Sequence, residues 1–183
     1  MEDFHELVER AFSRQALHPS DLPDLDLYMD QVITLIDNGY AANKRTPEEK
    51  LLTKTMIQNY SKAGLVRPIK GKKYTPEHVV QMLAIYALKR TLTIGEIKQA
   101  FDAFFEERTP EPSLSACYEQ SLSRKEALSG PVARLIEESG LDPAASRSDA
   151  FAALLTAAAL SDAFACLTEE ILDHYLPPAS RSR

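Results

Sequence analysis

Side chains suited to nucleic-acid recognition are concentrated between residues 54 and 73. Lysine and arginine bind phosphate oxygens, whereas the amides of glutamine and asparagine pair with base edges such as those of adenine. The candidate DNA-binding residues are Lys54, Thr55, Gln58, Asn59, Lys62, Arg67, Lys70, Lys72 and Lys73. This pattern favours a surface that binds double-stranded DNA.

The charge of the surrounding region supports this interpretation. Residues 50–90 contain nine cations and one acid, a net charge of +8, although the whole chain of 183 residues carries −6. Such a division concentrates positive potential on one module while the rest of the chain repels polyanions. Charge alone fits a second interpretation equally well, in which the basic face docks on the acidic remainder of the same chain.

Individual residues within this region also have two interpretations. Gln58 and Asn59 either contact bases or are surface amides hydrated by water, and the lysines of residues 70–73 either contact phosphates or belong to a solvated turn. Tyr60 and Tyr74 are expected to be core residues rather than base-stacking groups. Lys89 and Arg90 are expected only to cap a helix end.

Helical periodicity dominates the chain and predicts the elements that position these residues. Thr53 is the expected N-cap of a helix that continues through Ala63 and is closed by Gly64. The following segment is too short and too rich in Pro and Gly for a helix, so we expect a two-stranded ribbon that turns near Lys70-Gly71.

Further helices are predicted on both sides of this unit. The helix after Thr75-Pro76 should bury Val79, Met82, Leu83 and Tyr86, and Thr93 with Glu96 forms a capping box for the next one. The predicted ranges are 2–17, 26–38 closed by Gly39, 75–90, 93–105, 114–122, 132–139 and 148–175. The last helix is rich in alanine, which predicts a central or intersubunit position.

Composition favours a soluble cytoplasmic protein that has no contact with a membrane. The N-terminus lacks an apolar signal core, and the apolar run Ala150–Leu160 is too short to cross a bilayer. Cys117 and Cys166 lack metal-type spacing and are expected to be buried free thiols.

No arrangement of residues predicts catalysis. The four histidines are scattered, and neither a glycine-rich phosphate loop nor a nucleophile elbow is present in the sequence. Glu170 and His174 share a helix face but have no evident third metal ligand. We therefore expect no enzymatic activity, no metal and no cofactor.

Two stretches resemble a known DNA-binding domain. The sequence from Ile57 to Pro68, IQNYSKAGLVRP, resembles the recognition helix and wing entry of the MerR-type domain. KYTPEH, at residues 73–78, resembles the exit from the wing, and LTIGEI, at residues 92–97, resembles the start of the last helix. The connection 39–52 is longer than the MerR turn, and Gln58 stands where an arginine is usual.

The chain is more closely similar to a bacterial family called domain of unknown function 1836. LYMDQV at residues 27–32, LTKTMI at residues 52–57 and KKY at residues 72–74 carry this similarity. It covers roughly residues 23–105 and implies only a function in transcription regulation.

The sequence therefore predicts an all-α protein with a MerR-like winged helix-turn-helix followed by a helical C-terminal region. The expected divisions are an N-terminal helix at 1–22, the winged unit at 23–105, a linker at 106–113, an effector or oligomerisation region at 114–176 and a tail at 177–183. We expect a homodimer that binds double-stranded DNA, in which the C-terminal half supplies either the dimer contact or a pocket for an unknown small-molecule effector. The alternative is a protein-interaction module whose basic winged fold binds an acidic protein surface.

Overall fold

The computed structural model describes residues 3–106 and 111–178. Within these residues the protein is mostly helical, with one small antiparallel sheet of two strands, which confirms the predicted all-α class. The elements are α1 Phe4–Phe12, β1 Leu27–Tyr28, α2 Met29–Gly39, α3 Lys54–Lys62, β2 Lys73–Tyr74, α4 Pro76–Leu88, α5 Ile94–Phe104, α6 Leu114–Glu137 and α7 Arg147–Tyr175.

Helix α4 is the centre of the core. Thr75 caps it and Pro76 occupies its first turn, as predicted, and every residue from Val79 to Ile85 is buried. The predicted burial of Val79, Met82 and Leu83 is confirmed, and the residues between them are buried as well. Tyr86, expected in the core, is only half-buried.

The two-stranded sheet differs from the predicted ribbon. β2 pairs with β1, which precedes α2, with Leu27 opposite Tyr74 and Tyr28 opposite Lys73. Neither described strand includes residues 65–69, so the ribbon within residues 65–74 was wrong. The pairing joins distant parts of the chain, and local turn signals carry no information about such a pairing.

Two glycines act in different ways. Gly64 has a φ of +71°, a conformation that side chains disfavour, and it ends α3 as predicted. Gly39 is the last residue of α2 and does not have a positive φ. A Cβ atom at Gly39 would lie 2.5 Å from the side chain of Leu17, so its role is close packing rather than helix capping.

Several helix boundaries also differ from the predictions. The first helix ends at Phe12 rather than near residue 17. The two short helices expected at 114–122 and 132–139 form the single helix α6, which contains Pro131. The capping box of α5 is confirmed, because Glu96 N donates to Thr93 Oγ1 and Thr93 N donates to Glu96 Oε2 at 2.6 Å.

Helix α6 packs on the same core as α4. Leu114, Tyr118 and Leu122 are buried there, and the hydroxyls of Tyr118 and Tyr40 lie 3.2 Å apart. Residues 107–110 of the predicted linker and 179–183 of the predicted tail lie outside the described residues, as do residues 1–2.

Helix α7 is largely exposed. Its range agrees with the predicted 148–175. Leu172 joins the core and Gln99 Nε2 donates to the carbonyl of Leu176, whereas Ala153 is the other buried residue of this helix. Its apolar stretch is longer than the sequence analysis assumed: by length and composition α7 could cross a membrane. Cys166 is exposed and Cys117 half-buried, so the prediction of two buried thiols was wrong.

Candidate nucleic-acid interface

Helix α3 exposes its candidate DNA-binding residues to solvent. Its start is fixed by Thr53, whose hydroxyl accepts a hydrogen bond from Met56 N at 3.2 Å, and its inner side is fixed by the buried Ile57 and Tyr60. At 3.6 residues per turn, the five candidates occupy an arc of about 140° on the outer side. All five are exposed: Lys54, Thr55, Gln58, Asn59 and Lys62.

Arg67 is oriented by two neighbouring helices. Its backbone N–H donates to Oε1 of Gln81 at 3.0 Å, and its guanidinium lies 3.8 Å from the ring centre of Phe105. Gln81 is 3% exposed and is the only buried polar residue in the part of the chain that the structure describes. A stacked arginine retains its charge and its hydrogen-bond donors, so Arg67 remains available to a phosphate.

The remaining cations lie around the start of β2. Lys70, Lys72 and Lys73 are exposed, and Gly71 has a φ of +73°, which allows the turn between them. The ammonium of Lys73 lies 5.1 Å from the ring centre of Tyr28, across the sheet. We refer to residues 65–74 as the wing, because they project cations beside α3.

A concave surface separates α3 from the wing. It has a volume of about 790 Å³ and is lined by Gln58, Lys62, Arg67 and Phe105, among others. Asp102 also lines this surface, but its carboxylate binds Lys98 at 2.8 Å, which offsets its negative charge. Residues 54–74 contain six cations and no acid, so the surface around the concavity is strongly positive.

Tyr60 and Tyr74 belong to the core, as predicted. Both are almost fully buried, and burial raises the pKa of each phenol above its ordinary value. Neither is therefore exposed for stacking on a base.

Sequence analysis missed three residues that support this interface: Tyr28, Gln81 and Phe105. A glutamine within the apolar run Val79–Ile85 is a signal of a buried hydrogen bond, since a buried amide needs a partner. No local signal identifies Tyr28 or Phe105, because each meets its cation only through the tertiary fold.

The described residues contain no group of three metal-binding side chains. Glu170 and His174 on α7 therefore have no third metal ligand within residues 3–106 and 111–178. The candidate interface on α3 and the wing consists of hydrogen-bond donors, amides and positive charge.

The geometry defines a mostly helical protein in which the basic helix α3 packs its inner side on the core and exposes its outer side to solvent. The chain belongs to the family described as "Domain of unknown function (DUF1836)", whose model matches residues 17–121. No match was found among curated proteins or among solved structures.

Proposed function

We propose that this protein is a transcriptional regulator that binds duplex DNA through a MerR-like winged helix-turn-helix. In this proposal α3 enters the major groove, where Gln58 and Asn59 contact base edges, and the wing cations contact phosphates. The observation that carries the proposal is the acid-free stretch 54–74, whose cations and amides are exposed on α3 and the wing.

Salt dependence of binding tests the proposed interface. Each phosphate contact contributes about 0.9 to the slope of log affinity against log salt concentration. Binding to random duplex DNA should therefore weaken steeply with salt, and Lys70→Ala, Lys72→Ala and Lys73→Ala together should reduce the slope by about 2 to 3. The matched control replaces Arg124, Arg134 and Arg147, exposed cations of α6 and α7, by Ala.

The control removes the same charge and should leave the slope unchanged. If random DNA does not bind at low salt, or if both triple variants reduce the slope equally, the proposal is wrong. Binding to an acidic protein surface, with no binding to DNA, would instead support the alternative of a protein-interaction module.

Gln58→Ala separates base recognition from general affinity. If Gln58 contacts a base, selection of bound fragments from random DNA should show relaxed preference at one position, with a cost of about 1–3 kcal/mol on the preferred sequence. Lys62→Ala is the comparison, because loss of a phosphate contact weakens all sequences alike. An equal loss on all sequences for Gln58→Ala would show that it does not contact bases.

We also propose that the protein is a homodimer formed through α7. Leu160, Phe164, Leu167 and Ile171 are exposed at spacings of four, three and four residues, which is the spacing of a coiled-coil seam. Asp162, Glu169 and Asp173 fall on the opposite side of the helix. A second copy would cover the apolar seam and leave the acids in water, and two-fold symmetry would double the DNA contact.

A protein partner fits α7 better than a bilayer does. Asp162 lies near the middle of this helix, and an aspartate at the centre of a membrane-spanning helix costs about 2.5–3.5 kcal/mol. The acidic side would also be repelled by anionic lipid headgroups.

Sedimentation equilibrium tests the dimer. Phe164→Ser with Leu167→Ser should convert a dimer into a monomer, because both residues belong to the seam. Phe151→Ser with Leu155→Ser removes similar apolar groups from another side of α7 and should leave the dimer intact. A wild-type protein that is monomeric at high concentration, or that floats with lipid vesicles, would contradict the proposal.

A further inference from the structure

A second concentration of positive charge lies in a cleft outside α3 and the wing. The cleft has a volume of about 870 Å³ and lies between the region of α1, the loop 42–51 and the C-terminal end of α4. Its lining contains one carboxylate, Glu49, and seven cations: Arg10, Arg14, Lys44, Arg45, Lys50, Lys89 and Arg90. We call it the basic cleft.

One wall of the basic cleft is held by hydrogen bonds whose acceptors are uncharged oxygens. Asn43 Nδ2 donates to the carbonyl of Gln15 at 2.6 Å, and Gln15 N donates to Asn43 Oδ1 at 3.0 Å. Arg14 Nη2 donates to the carbonyl of Asn43 at 2.7 Å. These bonds fix the position of the Arg14 guanidinium without neutralising its charge.

Lys89 is held in a similar way at the end of α4. Its ammonium donates to the carbonyl of Leu51 at 3.2 Å and lies 4.5 Å from the ring centre of Tyr86. Burial lowers the pKa of Lys89, and the charge of Arg90 lowers it further, while Glu49 opposes the shift. A bound anion would therefore stabilise the ammonium form.

Only part of this positive charge is offset by nearby acids. Lys44 pairs with Asp37 at 2.7 Å, and Glu49 accepts a hydrogen bond from Arg45 N. The side chains of Arg45, Lys50 and Arg90 make no hydrogen bond or ion pair within the described residues, and all three are exposed. These three cations lie in one cleft without carboxylate partners, an arrangement that multivalent anions bind.

We propose that the basic cleft binds a small molecule that carries a diphosphate or triphosphate group. Arginine and lysine supply many charge-assisted donors for phosphate oxygens, the partly exposed ring of Tyr86 supplies an apolar surface, and the volume suits a small-molecule ligand. The cleft shares none of its lining residues with α3 or the wing.

The basic cleft also has a direct connection to α3. Lys89 binds the carbonyl of Leu51, two residues before Thr53, which caps α3. An anion that draws Lys89 away from Leu51 would alter the segment that positions α3. This regulatory consequence rests on the proposed DNA-binding function, whereas the anion site itself does not.

Calorimetric titration of the full-length protein with sodium tripolyphosphate, at about 0.15 M salt, tests the site. Arg45→Ala, Lys50→Ala and Arg90→Ala together should weaken binding by at least about tenfold, or 1.4 kcal/mol. The matched control is the triple Ala variant of Lys70, Lys72 and Lys73, which removes the same charge and should bind within about twofold of wild type. Both variants change exposed side chains, so the fold should persist, and circular dichroism verifies it.

Three results would overturn the proposal. The first is a wild-type protein that does not bind tripolyphosphate, and the second is an equal loss in both variants, which would indicate general attraction to positive charge. The third is a cleft variant that loses the DNA salt slope as strongly as the wing variant does, which would make the cleft a DNA phosphate contact. Binding of tripolyphosphate by a protein that does not bind DNA would uphold the anion site while the proposed function fails.

Discussion

Helices α4 and α7 are both strongly apolar, yet their environments are opposite. α4 buries every residue from Val79 to Ile85, whereas α7 buries only Ala153 and Leu172 of its 29 residues. Composition alone therefore did not decide which helix would be central. Core residues from several other elements pack around α4. In contrast, α7 contacts the core mainly at its C-terminal end. The burial of α4 makes it the centre of the monomer's core, and the exposure of α7 is the basis of the proposed dimer.

The largest expected effect comes from truncating one leucine in each of the two helices, α4 and α7. Leu83 is 0% exposed and Leu167 is 54% exposed. Leu83→Ala should lower the free energy of unfolding by about 2–5 kcal/mol, because it leaves a cavity. Leu167→Ala should change it by less than about 0.5 kcal/mol in dilute monomer. Urea unfolding measures both, and a large loss for Leu167→Ala in the monomer would show that α7 is part of the core.

A smaller effect should follow from removing the one buried amide on α4. Gln81→Leu keeps the volume but leaves the N–H of Arg67 without its partner, which should cost about 1–3 kcal/mol. Amide hydrogen exchange at Arg67 should accelerate at the same time. Unchanged exchange would mean that Gln81 does not hold the wing.

Helix caps give a third comparison. Thr93 caps α5, which packs on the core through Ile97 and Phe101, and Ser146 caps the exposed helix α7. Thr93→Ala should cost about 1 kcal/mol of global stability. Ser146→Ala should leave the unfolding midpoint of the dilute monomer unchanged and only speed exchange in the first turn of α7. Equal shifts in the midpoint would indicate that α7 unfolds together with the core.

The smallest effect concerns pH and the contact between the N-terminal region and α6. His18 Nδ1 donates a hydrogen bond to Oε1 of Glu119, 3.0 Å away, which raises the pKa of this histidine above 6.5, and Glu126 adds to the shift. A raised pKa stabilises the fold below the unfolded value of 6.5 and loses that contribution as pH rises through the folded value. Stability should thus fall slightly as the pH rises above 6.5.

His18→Gln should reduce this slope. The pKa of His5 is raised in the same direction by Glu137, so His5→Gln with His18→Gln is the more complete variant. A pH dependence that is unchanged in the double variant would exclude these histidines as its source.

Sequence reasoning succeeded where the signals are local. Thr53, Thr75 and Thr93 predicted the starts of three helices, because a cap and its first turn are neighbours in the chain. It failed where partners are distant, as in the pairing of β1 with β2. It also failed for α6, which was predicted as two short helices and is one. The exposure of the candidates on α3 followed from helical periodicity, but the stacking of Arg67 on Phe105 did not.

The sequence by itself determined the helical class, the capped starts of α3, α4 and α5, and the acid-free basic stretch, because each depends on residues close together in the chain. Only the tertiary structure decided that α4 is enclosed while α7 is exposed, since burial depends on which elements pack around a helix. The tertiary structure also gathered the seven cations of the basic cleft from three separate segments. Long-range packing brings such groups together, and no periodicity in the sequence records it.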